Sequence, residues 1–267
     1  MSKRVIYLKN AEEANIIKQN GVILGKAQAE VAKLIGVGIK TKDLDKVAEE
    51  YILDNGGKPS FKNYNGFPAT LCISVNDVVV HGIPSTRELK DGDIVSVDCG
   101  VFKNGYHADS AYTYMVGDVN QLTKKLLSDT KKSLFEGIAQ VKPGNRIGDI
   151  SYGVQSFTEG LGYGVVRELV GHGVGKYLHE APEVPNFGKR GNGPKLQVGM
   201  VIAIEPMITL GKRFVVQEND NWTIRTEDRK PAAHFEHTVM VTKGGYEILT
   251  TFEFIEEVLV SRNLEII

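Results

Sequence analysis

Gly92-Asp93-Ile94-Val95-Ser96-Val97-Asp98 and Gly199-Met200-Val201-Ile202-Ala203-Ile204-Glu205 are two versions of one device. In each, a glycine precedes an acid by six residues, with a mostly apolar run between them. Such a run reads as a buried strand. A carboxylate closing a buried strand is costly to desolvate unless something pairs it. Because the arrangement occurs twice, the two acids are expected to meet across a two-fold-like axis, and a shared cation is the natural partner.

Working outward, the flanking sequence repeats as well. Ile16, Ile17, Ile23, Leu24, Ala27, Val31, Leu34 and Ile35 recur at helical spacing and predict one long amphipathic helix from about Ala11 to Ile35. Thr41 is the expected N-cap of a second helix carrying Leu44, Val47, Tyr51 and Ile52, which Asn55-Gly56-Gly57 stops. Strands are expected from about Thr70 to Val116. The order then recurs. Leu122, Leu126, Leu127, Leu134 and Ile138 mark a third helix, and Ile147, Ile150, Val154 and Phe157 a fourth. Strands follow from about Gly164 toward the C-terminal region. After each glycine-acid segment a second acid heads another strand, Asp109 before Ser110–Val116 and Glu236 before His237–Val241. The period of about a hundred residues is far too long for a solenoid. It predicts an α+β chain of two halves around one core. No Pro/Ser-rich linker divides them, so residues 1–267 are expected to form a single domain. The Pro- and Gly-rich stretch from Ala181 to Leu196 is expected to be a surface loop.

Composition narrows the setting. Hydrophobic residues make up 42% and charged residues 24%, as expected of a water-soluble chain with a large core. A net charge of -1 gives no bulk attraction for DNA or another polyanion. Cys72 and Cys99 are too few for a disulfide framework and fit a reducing compartment. Met1 to Tyr7 contain no apolar run resembling a signal peptide, and no stretch is long enough to span a membrane. The expectation is a cytoplasmic monomer.

Asp98, Asp109, His172, Glu205 and Glu236 stand out as one set. Four buried carboxylates would repel one another and resist ionising. Two divalent cations would offset that charge. Oxygen ligands with one imidazole suit Mn, Fe or Co at least as well as Zn. His172 lies in Gly171-His172-Gly173-Val174-Gly175, where glycines permit close backbone approach to a ligand. A metal pair bridged by carboxylates can supply hydroxide near neutral pH.

The order Asp-Asp-His-Glu-Glu, within Val97-Asp98-Cys99-Gly100, Ala108-Asp109-Ser110, Gly171-His172-Gly173, Ile204-Glu205-Pro206 and Glu236-His237-Thr238, resembles the methionine aminopeptidases. Asn76-Asp77-Val78-Val79-Val80-His81-Gly82-Ile83-Pro84 and His179-Glu180-Ala181-Pro182 add to the likeness, which runs from about Ala11 to Thr250. The resemblance implies the pita-bread fold, with its pseudo-two-fold repeat of two helices plus antiparallel strands around a curved sheet. It also implies a dinuclear metal site (Co, Mn, Fe or Zn) and removal of N-terminal methionine from nascent polypeptides whose second residue is small, by a metal-bridged hydroxide. By the same resemblance, Asp98 chelates one metal, Asp109 and Glu236 bridge both, and His172 and Glu205 complete the other's shell. Glu205 also handles a proton of the attacking water. His81 contacts substrate near the scissile bond, and His179 donates to the peptide and the developing oxyanion.

The resemblance places Cys72, Tyr64, Phe67 and Trp222 around the methionine side chain, where sulfur and aromatic contacts suit a thioether. Phe67 stands where a tyrosine is common, and Leu178 where a phenylalanine is. Glu205 and Glu236 are only 31 positions apart. That leaves no room for the long helical insertion of type II enzymes, so the likeness is to the short, bacterial-style type I enzymes. Proline-directed relatives usually carry a large extra N-terminal domain, whereas the first core helix here begins near residue 11. A catalytically silent binding relative would have lost metal ligands, and all five positions are filled. A phosphoesterase would need cationic groups converging on phosphate, and no basic motif provides them. Transient association with the ribosome is a further expectation for a co-translational enzyme.

Overall fold

In the computed structural model, which describes residues 5–267, both glycines that open the repeated segments take left-handed backbone, with φ +85° at Gly92 and +92° at Gly199. Only glycine adopts that region freely, which is why the device begins with it. Each glycine turns the chain into a strand of the core. The first, Ile94–Lys103, pairs antiparallel with Tyr106–Met115 across the tight turn at Asn104-Gly105. The second, Val201–Ile204, pairs antiparallel with His237–Thr242.

The acids sit differently in the two pairs. Asp98 and Asp109 lie inside long strands rather than at their ends, as the sequence reading had placed them. Asp98 faces Ala111 and Asp109 faces Gly100, so both carboxylates project from one face of the ladder. Glu205 follows its strand directly, and Glu236 immediately precedes its own. Continuing the register of His237 with Ile204 sets these two opposite each other.

A seam of hydrogen bonds zips the halves together. The Thr238 hydroxyl donates to the Asp109 carbonyl (2.8 Å) and accepts from the Asp109 N–H (3.2 Å). The Ser110 hydroxyl donates to the Glu236 carbonyl (2.8 Å), and the Glu236 N–H donates to the Ala111 carbonyl (2.9 Å). Asp109 and Glu236 are therefore tied together through main-chain bonds of their own and of their neighbours.

Helix α1 (Ala11–Leu34) starts at a capping box between Asn10 and Glu13 and buries an apolar face against the strands. Its buried Gln28 donates to the Ser110 carbonyl (2.7 Å), a polar pin through an apolar layer. Helix α2 (Thr41–Asp54) begins one residue earlier than expected. Lys40 holds the cap position without a side-chain bond, because the Thr41 hydroxyl is engaged by Ser85, accepting from its N–H (2.8 Å) and donating to its carbonyl (3.1 Å). Helices α3 (Gln121–Ile138) and α4 (Ile147–Gly160) fall where the periodicity puts them.

Two further elements depart from the sequence reading. Glu180–Val184 is a strand paired with Gly171–Gly173, so the start of the stretch read as a surface loop belongs to the second sheet. A fifth helix, α5 (Glu253–Ser261), buries Ile255 and Leu259 after the last expected strand. Among the described residues no helix is long and apolar enough to cross a membrane. The sequence reading of Met1 to Arg4 lies outside the described residues.

Candidate metal centre and active site

The two acid-bearing strand pairs and the strand Gly171–Gly173 face one cleft of about 440 Å³. Asp98, Asp109, His172, Glu205 and Glu236 line it. Ligand atoms of Asp109, His172 and Glu236 all lie within 4.8 Å of one another. The His172 Nε2 stands 3.6 Å from Glu205 Oε1 and 3.9 Å from Asp109 Oδ2. Its Nδ1 lies 2.9 Å from the Gly173 carbonyl. A carbonyl can only accept, so Nδ1 carries the hydrogen and Nε2 turns a lone pair toward the acids.

Charge makes this cluster unstable on its own. Burial pushes Asp98 up to about 7. Burial raises Asp109 well above the carboxylate range, and the charges of Asp98 and Glu205 add to it. Glu205 and Glu236 rise for the same reasons, burial first and neighbouring acids second. Asp98 Oδ1, Asp109 Oδ1 and Glu236 Oε1 are buried with no hydrogen-bond partner among the described residues. His172 is held neutral by burial, down to about 3. Orphaned acid oxygens around an imidazole lone pair are a donor set for hard or borderline divalent cations, and the residues fit such a group.

A small hydrophobic cluster separate from the main core also borders the cleft, with its Cys72 paired across the ladder with Asp98. It contains Phe61, Phe67, Ala69, Cys72 and Leu178, with Tyr64, Ile83 and Trp222 packed on it. Phe67 meets Trp222 edge-on at 5.2 Å. The structure thus brings every site residue singled out in the sequence to this cleft, acids and imidazoles together with the apolar groups. Sequence reasoning missed Phe61, which packs into the same cluster.

Two more histidines line the cleft. His81 takes left-handed backbone, φ +58°, immediately after the strand Val78–Val80. Gly82 follows because a Cβ there would fall 2.1 Å from the Ile73 carbonyl oxygen. The pair bends the chain so that the His81 ring meets the cleft. A non-glycine residue in that conformation is a marker of strain at a functional position. His179 stacks edge-on against His172 with ring centres 4.2 Å apart, and its Nδ1 lies 2.9 Å from the Tyr64 hydroxyl. A hydroxyl can donate as well as accept, so the Tyr64 proton can go to His179 Nδ1. That tautomer leaves a hydrogen on His179 Nε2. Next to it, Glu180 forms a buried ion pair with Lys9, and the Lys9 N–H donates to the Gly199 carbonyl (2.7 Å). The start of the chain therefore straps the His179 segment down.

One residue escaped the sequence reading altogether. His234 is 1% exposed, and its Nε2 stands 3.7 Å from Glu205 Oε2.

Sequence comparison bears on the identity of this site. The model of metallopeptidase family M24 matches residues 15–243. The chain belongs to metallopeptidase family M24. M24 membership makes it a hydrolase and implies use of divalent metal. Methionine aminopeptidase 1 of Bacillus subtilis is 49% identical over 246 residues, covering 92% of this chain and 99% of the relative. Solved structures of M24 enzymes agree. Methionine aminopeptidase from Thermotoga maritima superposes with a TM-score of 0.91 at 42% identity, covering 92% of this chain and 100% of that one. The enzyme from Rickettsia prowazekii also gives 0.91, at 36% identity and the same coverage. The fold is the pita-bread fold, as the internal repeat and the motif resemblance led one to expect.

Proposed function

We propose that this M24 protein removes the N-terminal methionine of newly made polypeptides by metal-dependent hydrolysis of the first peptide bond, with preference for a small second residue. The observation that carries the reading is the juxtaposition in one cleft of charged, partner-deficient acids and a separate apolar cluster.

In this reading Asp98, Asp109, His172, Glu205 and Glu236 hold two divalent cations. The four carboxylates would supply oxygen ligands and His172 its Nε2. When bound, the ions offset the clustered carboxylate charge, polarise a carbonyl and lower the pKa of water. Cobalt, manganese, iron and zinc all suit the donor set.

The chain's own groups do the rest. Cys72, Tyr64, Phe67 and Trp222 enclose the methionine side chain, with Phe61 and Leu178 closing the cluster behind them. Burial of these groups excludes water and orients the first residue. His179 donates from Nε2 to the oxygen of the scissile carbonyl as negative charge develops there. Tyr64 keeps it in the donating tautomer. His81, held by its strained backbone, contacts the peptide beyond the scissile bond and crowds a large second side chain. Glu205 takes the proton of the attacking water and delivers it to the departing amine.

The protein is proposed to work as a cytoplasmic monomer, a single domain over 1–267, meeting its substrates transiently at the ribosome. The decisive test is release of methionine from Met-Gly-Met peptides by chelated and then remetallated protein, compared with Met-Arg peptides. Turnover in metal-free protein, or equal kcat/KM for the two second residues, overturns the proposal.

A further inference from the structure

Glu205 is the one acid of the site that stands between two imidazoles. Oε1 faces His172 Nε2 at 3.6 Å and Oε2 faces His234 Nε2 at 3.7 Å. The two sides are not equivalent. His172 is fixed with its lone pair toward the acids, because its Nδ1 is bonded to the Gly173 carbonyl. On that side an ionised Glu205 sets two electron-pair donors against each other, an arrangement that a cation between them satisfies. On the other side His234 Nε2 is buried and finds no partner among the described residues. An ionised carboxylate oxygen can only accept. The complementary group for Oε2 is therefore an N–H.

The main chain of His234 is held on both sides. Its backbone N–H donates to the Thr113 hydroxyl (3.1 Å), and that hydroxyl donates to the His234 carbonyl (2.7 Å). Thr113 in turn contacts the Ser96 hydroxyl at 2.8 Å. Both residues sit on the first acid-bearing strand pair. The first half's ladder thus fixes the main chain of His234, whose ring approaches the second half's acid.

We infer that His234 is a positioning residue: its Nε2–H donates to Glu205 Oε2 and so commits Oε1 to the cation shared with His172. The separation of 3.7 Å is slightly longer than a hydrogen bond, and a small turn of the Glu205 carboxylate closes it. A carboxylate held by one oxygen binds metal through the other with defined direction. Partners of this kind, one bond removed from the metal, usually tune affinity and rate together. The inference rests on Glu205 being a ligand, as proposed above.

The test uses the full chain, stripped and reloaded with cobalt(II). The wild-type protein must first bind cobalt with a d–d absorption spectrum that Glu205→Ala alters. This step checks the ligand reading by itself. His234→Leu, which keeps bulk but loses the donor, is then expected to weaken cobalt affinity by about 10- to 100-fold and to change the cobalt spectrum. It should lower kcat on Met-Gly peptides with little change in KM. His234→Gln, which restores an N–H, should recover the spectrum and most of the rate. If His234→Leu does not fold, His234→Ala carries the same arm. The inference falls if a donor-free variant keeps the wild-type cobalt spectrum and affinity. It falls equally if His234→Gln is as damaged as His234→Leu and the cobalt spectrum shows one nitrogen donor fewer, since His234 would then be a ligand.

Discussion

The two halves share a plan and differ in how they hold their acids. In the first half, ten-residue strands run past Asp98 and Asp109 on both sides, closed by Asn104 and Gly105 at φ +52° and +83°. Positive φ at both turn residues is the hairpin geometry whose twist matches paired strands. These short aspartates sit on a continuous ladder. In the second half the strands Val201–Ile204 and His237–Thr242 stop at the acids, and the longer glutamates reach in from the ends. The chain between Glu205 and Glu236 folds into four short strands, Met207–Thr209, Val215–Gln217, Ile224–Thr226 and Ala232–His234, and it brings Trp222 to the apolar cluster and His234 to Glu205. One copy became a rigid base. The other has shorter acid-bearing strands, and the segment joining them, paired in small sheets of its own, lines the pocket and approaches Glu205.

The largest test of this comparison replaces one acid from each half. Asp109 and Glu236 occupy corresponding places and both belong to the tightest ligand group. Asp109→Asn and Glu236→Gln are each expected to take methionine release below detection and to cut the bound metal measured by elemental analysis. A fully active variant of either would end the symmetric reading. Next in size is His179→Ala. Loss of one donor to developing oxyanion charge typically costs about 10²-fold or more in kcat. Metal content should stay unchanged, because His179 contacts His172 only through its ring. A matching loss of metal would make His179 structural.

The same acids set a pH dependence. Asp98 rises from 3.8 in the open chain to about 7 when folded, chiefly through burial. A carboxyl with a raised folded pKa favours unfolding as pH climbs, because the unfolded chain releases the proton first. Metal-free protein is therefore expected to lose stability between about pH 4 and about pH 7 from this group. Cation binding needs the ionised acids and reverses the trend. The Tm difference between metal-loaded and metal-free protein should widen with pH across that window. A constant gap would mean the acids are already ionised without metal.

Much of this was legible in the sequence because the constraints are local. A glycine six positions before an acid marks both turn and strand, and helical spacing marks α1, α3 and α4. The motif resemblance then brought in His81, His179 and the pocket residues. What was not legible depends on distant partners. Glu180–Val184 carries Pro182 and opens a Pro- and Gly-rich stretch, yet it pairs as a strand with Gly171–Gly173. Thr41 looks like a cap until Ser85 engages its hydroxyl. Helix α5 mixes acidic and apolar residues in Glu253-Phe254-Ile255-Glu256-Glu257-Val258, beyond the last motif. His234 sits in an apolar run, Ala232-Ala233-His234-Phe235, and reads as a core histidine. The available signal was its position two residues before Glu236, which in extended chain puts both on one face.

The smallest effect separates the two glycines that open the repeat. Both need left-handed backbone, so an alanine at either carries a penalty of roughly 1–2 kcal/mol. Their surroundings differ. A Cβ at Gly92 would meet nothing nearer than the Asp118 carbonyl oxygen at 3.6 Å, an ordinary contact. At Gly199 it would fall 2.7 Å from the Lys9 carbonyl oxygen, a backbone atom that cannot simply rotate aside. Gly92→Ala should therefore show the conformational penalty alone in urea unfolding of the metal-free protein. Gly199→Ala should cost more, and it should also disturb function. Displacing Lys9 pulls on its buried pair with Glu180, the neighbour of His179. A fall in kcat with Gly199→Ala, absent from Gly92→Ala, is the expected pattern. Equal losses of stability and no change in kcat for either would show that the strap from Lys9 to Glu180 does not position His179, and that the halves differ less than their strands suggest.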